Sequence, residues 1–213
     1  VGALADAAVM LDPDLAETVR NLAKANRADG VAVLSWIYRT IFGHTARGAV
    51  PPYETEYGVD GLFQQPQEMS DIGGFFGAFG LLVDPSSHER IDHISCECEF
   101  LRFLCEKEAY AAEAADGAML EETRRAEQLF LKDHLGRFAP AFGRRLMLED
   151  SGGFCGALGE MCAGFIEAEC RRAGVPAGPE QLQLRLALPD DVPMACDSGE
   201  DLLQIDGEPE EVE

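Results

Sequence analysis

The stretch Glu89 to Cys105, ERIDHISCECEFLRFLC, carries a histidine, an aspartate, three cysteines and three glutamates within seventeen residues. With His88 just before it, this run holds the residue types of a zinc site or a thiol redox centre. Zinc asks for four convergent donors, usually from CxxC pairs or paired histidines, and the chain has no CxxC. On a helix Cys96 and Cys98 project about 200° apart. A small metal-binding or thiol-redox protein built on the His88–Cys98 cluster is therefore the alternative reading, and the expectation is no metal and no cofactor.

Read as a helix from Ile91 to Ala115, the same run makes better sense. Ser95, Glu99, Arg102 and Glu106 fall on one solvent-facing stripe. Ile94, Cys98, Leu101 and Cys105 form an apolar stripe, widened by Phe100, Phe103 and Leu104. The thiols occupy places of small hydrophobes, as do Cys155 and Cys162 beside Leu158 and Phe165. Asp92 precedes the pattern as a natural N-cap. Glu97 lies on the buried side, one turn from His93, and a buried carboxylate needs a partner. Asp92, His93 and Glu97 thus mark a polar corner, either capping and satisfying a loop or holding a cationic or hydrogen-bonding ligand.

The remaining punctuation predicts more helices: Asp14 to Asn26, Val31 to Phe42, Pro66 to Leu82, Leu120 to Leu135, Phe138 to Glu149 and Gly153 to Ala173. A long loop, Gly43 to Tyr57, is forced by two prolines and two glycines. No segment alternates as a strand does, so the expectation is an all-α, single-domain helical bundle over residues 1–188. In GGFFGAFG, Gly73 to Gly80, the glycine spacing is wrong for a dinucleotide fingerprint and no strand precedes it. Its glycines suit close helix approach, with Asp71 and Phe75 on one face that lines a groove. No nucleophile elbow and no phosphate-cradling loop is present, so no catalysis is expected.

The 213 residues carry a formal charge of −22. Ten acids and no base lie between Pro189 and Glu213, leaving −12 on residues 1–188. That final segment reads as a disordered tail. Such a surface disfavours nucleic acid and suits cationic partners, although a merely solubilising surface has the same composition. Seven cysteines, an odd number, in a chain of this size point to reduced thiols. With no span-length apolar run and no secretory signal pattern, the expected place is the cytoplasm, without membrane insertion.

Several segments, in order, resemble one known family. IYRTIFGHTARGAVPPYETEYG, QEMSDIGGFFGAFGL followed by ERIDHISCECEFLRFLCEKEAYA, and ALGEMCAGFIEAE resemble the signatures of the TorD/DmsD/NarJ-type chaperones. The match covers Val31 to Arg172. Ile91 stands where the family usually has proline before Asp-His, and Cys98 where leucine is usual. The resemblance implies an all-helical, cytoplasmic, monomeric or homodimeric chaperone, not an enzyme. Its partner would be the precursor of a molybdoenzyme catalytic subunit of the DMSO-reductase superfamily. It would bind the twin-arginine leader, assist molybdenum cofactor insertion and proofread before export. The expected binding residues are the aromatics Tyr53, Tyr57, Phe75 and Phe76 and the polar edge Glu54, Asp71, Asp92, His93 and Glu97.

Overall fold

The computed structural model describes residues 2–28, 31–43, 48–59, 64–84 and 89–185. Eight helices are described: α1 (Gly2–Leu11), α2 (Leu15–Ala28), α3 (Val31–Phe42), α4 (Gln64–Ala78), α5 (Ile94–Glu113), α6 (Gly117–Asp133), α7 (Leu135–Glu149) and α8 (Phe154–Ala173). A single 3-10 turn, Glu54–Glu56, interrupts the loop before α4. Among the described residues there is no strand, only two isolated antiparallel bridges, Tyr53 with His93 and Tyr57 with Leu184. The bundle is all-helical, as expected. Residues 186–213, and with them the expected tail, lie outside the described residues, as do His88 and residues 44–47 of the expected loop.

The centre of the bundle is α7. Its buried residues include Leu135, Phe138, Ala139, Phe142 and Leu146. Two glycines let α7 and α8 touch backbone to backbone: a Cβ on Gly143 would sit 2.5 Å from the Gly159 carbonyl oxygen, and one on Gly159 would meet the Gly143 carbonyl in turn. Pro140 lies inside α7. It has no N–H to give the carbonyl of Gly136, and that carbonyl instead accepts the N–H of Gly178 at 2.8 Å. A helix defect thereby anchors the chain that returns after α8.

That return segment, 175–185, starts where Gly174 takes the left-handed conformation that ends α8 (φ 73°). It crosses α7, where Arg145 donates to the Leu182 carbonyl at 2.9 Å. It then pairs with the central loop: Gly58 N–H to the Gln183 carbonyl, and Arg185 N–H to the Glu56 carbonyl, both 2.9 Å.

The helix boundaries differ from the sequence reading at named points. α1 is not anticipated because GALADAAVML shows little segregation of polar and apolar residues. Its alanines and two leucines favour helix, and Ala8 packs with Leu15, Val19 and Ala168 in a second, smaller core. α4 starts two residues before Pro66, which its first turn tolerates. α4 ends at Ala78 rather than Leu82, with Gly80 at φ 70° behind it. α5 starts at Ile94, not Ile91, because residues 91–93 are held by the loop.

Candidate functional site

The loop 51–57 is pinned to the start of α5 by its backbone. Glu54 N–H donates to the Asp92 carbonyl at 2.9 Å and Ile94 N–H to the Pro52 carbonyl at 2.8 Å. Asp92 completes the pin. Its Oδ2 accepts the Thr55 hydroxyl at 2.8 Å. Arg90 closes on it with Nε at 2.9 Å and Nη2 at 2.7 Å, a two-pronged guanidinium–carboxylate pair. Arg90 also lies 4.3 Å from the Tyr53 ring centroid, and the Tyr53 hydroxyl donates to Glu89 at 3.1 Å.

The N-cap expectation needs correction here. His93, not Asp92, caps α5: its Nδ1 accepts the Ser95 N–H at 3.1 Å. Asp92 is fully buried and serves the loop instead. His93 stays half-buried with its ring edge against Tyr53, centroids 5.3 Å apart. Burial, against the charges of Glu89 and Asp92, lowers its pKa below the ordinary histidine value. His93 and Glu97 do not pair with each other.

Glu97 points inward to a second acid. Both Glu54 and Glu97 are 0% exposed. Glu54 has strong donors: Arg137 Nη2 at 2.6 Å and Nε at 3.2 Å, with His134 Nδ1 at 3.2 Å. Neither oxygen of Glu97 has a donor among the described residues. Burial first, and the Glu54 charge second, drive its pKa well above the carboxylate range. Two buried carboxyls side by side cannot both ionise, so Glu97 is the one that holds its proton beside Glu54.

On the far side of His134 and Arg137 opens a cavity of about 690 Å³. Glu68, Asp71 and Phe75 of α4 face Asp133, His134 and Arg137 across it. Phe75 forms the floor, in edge contact with His134 at 5.3 Å and Phe130 at 5.5 Å between centroids. Glu68 accepts Arg185 Nη2 at 2.8 Å, while its Oε2 is buried with no partner among the described residues. No described cation pairs with Asp71. Lys132 approaches Asp133 only to 3.7 Å. The rim is therefore acidic over an aromatic floor, an arrangement complementary to a guanidinium.

A second concavity, about 540 Å³, is almost wholly apolar. Tyr38 and Phe42 of α3, Phe142 of α7, and Phe154, Leu158 and Phe165 of α8 form its walls, with His93 and Ser95 at one edge. Cys98 and Cys162 line it too. Burial pushes both thiols up to about 12, so they are neutral, apolar wall rather than nucleophiles. Among the described residues, the one group of His, Cys, Asp and Glu close enough for a metal is Cys105, Glu127 and Glu169, which includes none of His93, Cys96 and Cys98.

The expected site residues thus divide. Asp71 and Phe75 line the acidic cavity together, and His93 edges the apolar cleft. Tyr53 is half-buried behind the loop. Glu54, Tyr57, Asp92 and Glu97 are inaccessible, and Phe76 nearly so; they build the frame and do not reach a ligand in this conformation. Tyr57 donates its hydroxyl to the Pro51 carbonyl at 2.9 Å. The sequence reading missed Asp133, His134, Arg137 and Glu68. The signal was available in KDHLGR: an acid, a histidine and an arginine at the break between two helices, where side chains escape the helical surface.

The pattern of the nitrate reductase delta subunit family matches residues 10–144, well over half of the chain. The chain belongs to this family. This TorD/NarJ family is one of molybdoenzyme maturation chaperones, not enzymes. Its curated relatives include the chaperone protein TorD of Vibrio cholerae, 27% identical over 146 residues, 68% of this chain and 64% of that protein. The selenate reductase assembly chaperone protein of Thauera selenatis is 35% identical over 124 residues, 57% of this chain and 58% of that one. The perchlorate reductase assembly chaperone protein of Dechloromonas aromatica is 28% identical over 104 residues, 49% and 46% of the two chains. The chain therefore spans less than two thirds of the length of these relatives. No solved structure matches it. The match takes in the loop, α4, α5, α6 and most of α7, which carry both the loop pin and the acidic cavity. No described helix is long and apolar enough to cross a membrane.

Proposed function

We propose that this protein is a cytoplasmic assembly chaperone for the catalytic subunit of a DMSO-reductase-superfamily molybdoenzyme. It binds the twin-arginine leader of the precursor, assists molybdenum cofactor insertion and holds back export meanwhile. The supporting observation is the cavity in which Glu68, Asp71 and Asp133 surround Phe75 and His134. A leader presents paired guanidinium groups next to an apolar stretch, and a receptor needs an acidic rim and an apolar wall to hold both. In this reading Asp71 and Asp133 face the arginines, Phe75 stacks beneath one, and the cleft between α3, α5 and α8 receives apolar side chains next to His93. Tyr53, Glu54, Tyr57, Phe76, Asp92 and Glu97 act by holding these walls in place.

The test is a calorimetric titration with the leader peptide of the molybdoenzyme encoded beside the gene, against a peptide whose two arginines are lysines. Micromolar binding, weakened about tenfold by the lysine pair, is the expected result. Equal affinity for both peptides, or none for either, overturns the guanidinium assignment.

A further inference from the structure

Arg185 fills a place built for a guanidinium. Its Nη2 donates to Glu68 Oε1 at 2.8 Å, its Nη1 to the Thr55 carbonyl at 2.7 Å and its Nε to the Val59 carbonyl at a longer 3.4 Å. The side chain is only 7% exposed. One carboxylate and two carbonyls around a planar cation make a guanidinium receptor. Here it is filled by the chain itself, from 117 positions beyond Glu68 in sequence.

The fit is incomplete. Glu68 Oε2 is buried and has no donor among the described residues. Arg185 thus grips the carboxylate by one oxygen, where a two-pronged pair uses both. A buried acceptor without a donor carries a cost that an incoming N–H removes. Glu68 also lines the acidic cavity, where Arg137 comes within 3.9 Å of the same Oε1. A guanidinium in the cavity therefore reaches Glu68 directly and can take the oxygen that Arg185 leaves unused. Leu182 and Leu184 pack against the core and anchor the return segment upstream, so only the side chain of Arg185 has to leave.

We propose that the Arg185 pocket is a second guanidinium subsite, taken over from Arg185 by one arginine of the leader while the other stays at Asp71 and Asp133. This rests on the leader reading above. The tether makes the exchange selective. A tethered side chain competes at an effective concentration on the order of millimolar, so a lone arginine does not displace it. A peptide already held at Asp71 and Asp133 does, because its second step is equally intramolecular. Arg185 thereby filters for paired arginines.

The test follows the Arg185 Nε–H signal by NMR in the unaltered full chain, with isotope-labelled arginine and the signal assigned through its backbone. The twin-arginine leader peptide at saturation should move that signal to the position of a solvent-exposed arginine. A peptide keeping one of the two arginines should leave it in place. A second measurement uses Arg185→Ala. Methylguanidinium at about 30 mM should raise the melting temperature of this variant by about 3 °C and leave the parent unchanged. The twin-arginine peptide should bind the variant about tenfold more tightly than the parent. Leader binding with the Arg185 signal unmoved overturns the exchange and leaves the leader site standing. Equal shifts with both peptides overturn the filter. A folded Arg185→Ala chain that is indifferent to methylguanidinium overturns the pocket. No binding of the leader by the parent overturns the leader reading, and the exchange with it.

Discussion

Glu97 and Glu54 lie carboxyl to carboxyl inside the bundle, and only Glu54 is supplied with basic partners. Arg137 of α7 and His134, just before that helix, reach it, while Glu97 of α5 relies on its own proton. This pair joins the loop, α5 and α7 directly behind the acidic cavity.

Titration of Glu97 makes the fold sensitive to alkali. Its folded pKa stands well above the ordinary value of about 4.3 of the unfolded chain. The stabilisation is thus complete below about pH 4.3 and is lost as pH rises through the folded pKa. Glu97→Gln keeps the shape and a donor to Glu54 without an ionisable proton. Urea unfolding should show the variant within about 1 kcal/mol of the parent at pH 5, and increasingly more stable than the parent as pH rises. Parallel pH profiles for the two proteins would show that Glu97 does not titrate.

Asp92 and His93, adjacent in sequence, should separate sharply on mutation. Asp92→Ala strips Arg90 and Thr55 of their shared acceptor in a buried setting, and a loss of about 3 kcal/mol is expected. His93→Ala removes only a cap, worth about 1 kcal/mol. Thermal melts of the two single variants check this ordering.

Asp71→Asn and Asp133→Asn change exposed carboxylates with little structural duty. Stability should stay within about 0.5 kcal/mol, while each lowers affinity for the leader peptide by about tenfold, equivalent to about 1.4 kcal/mol. Calorimetry and melting on the same samples distinguish lost recognition from lost fold.

At the other end of the bundle Arg172 of α8 serves three acids: Glu108 of α5 at 3.2 Å, Glu169 at 2.8 Å and Glu127 of α6. Burial, and crowding by Glu108 and Glu169, lift Glu127 to about 7 in spite of Arg172. Being raised, it contributes stability below about pH 4.3 that is lost as pH climbs to about 7. Carboxyl-carbon NMR should find this one glutamate titrating near neutrality. Arg172→Leu should destabilise by about 3 kcal/mol and raise the Glu127 midpoint further.

Much of the bundle was legible because periodicity reports burial. Ser95, Glu99, Arg102 and Glu106 are all exposed, and Arg102 pairs with Glu99 and Glu106 along that stripe. Asp71 and Phe75 were placed on one face by spacing alone, and they line one cavity. What spacing along one helix cannot report is what comes from another. Glu97 was recognised as buried, but its neighbour Glu54 lies 43 positions earlier in a loop. His134 and Arg137 escaped because each looks like ordinary surface at a helix junction; their importance lies in a carboxylate some 80 residues away. The N-cap was misassigned because Asp92 and His93 both suit the position, and the choice was made by Thr55 and Arg90.

Pro140 has a consequence for the order in which this molecule can be assembled. The acceptor that fixes Gly178 exists only once α7 has wound around its proline and left the Gly136 carbonyl vacant. Arg185, downstream of that point, then has a place to go, and with it the contact to Glu68. The cavity wall at Glu68 thus depends on the centre of the bundle through this chain of contacts. A chain that has not completed its own interior therefore presents no finished cavity.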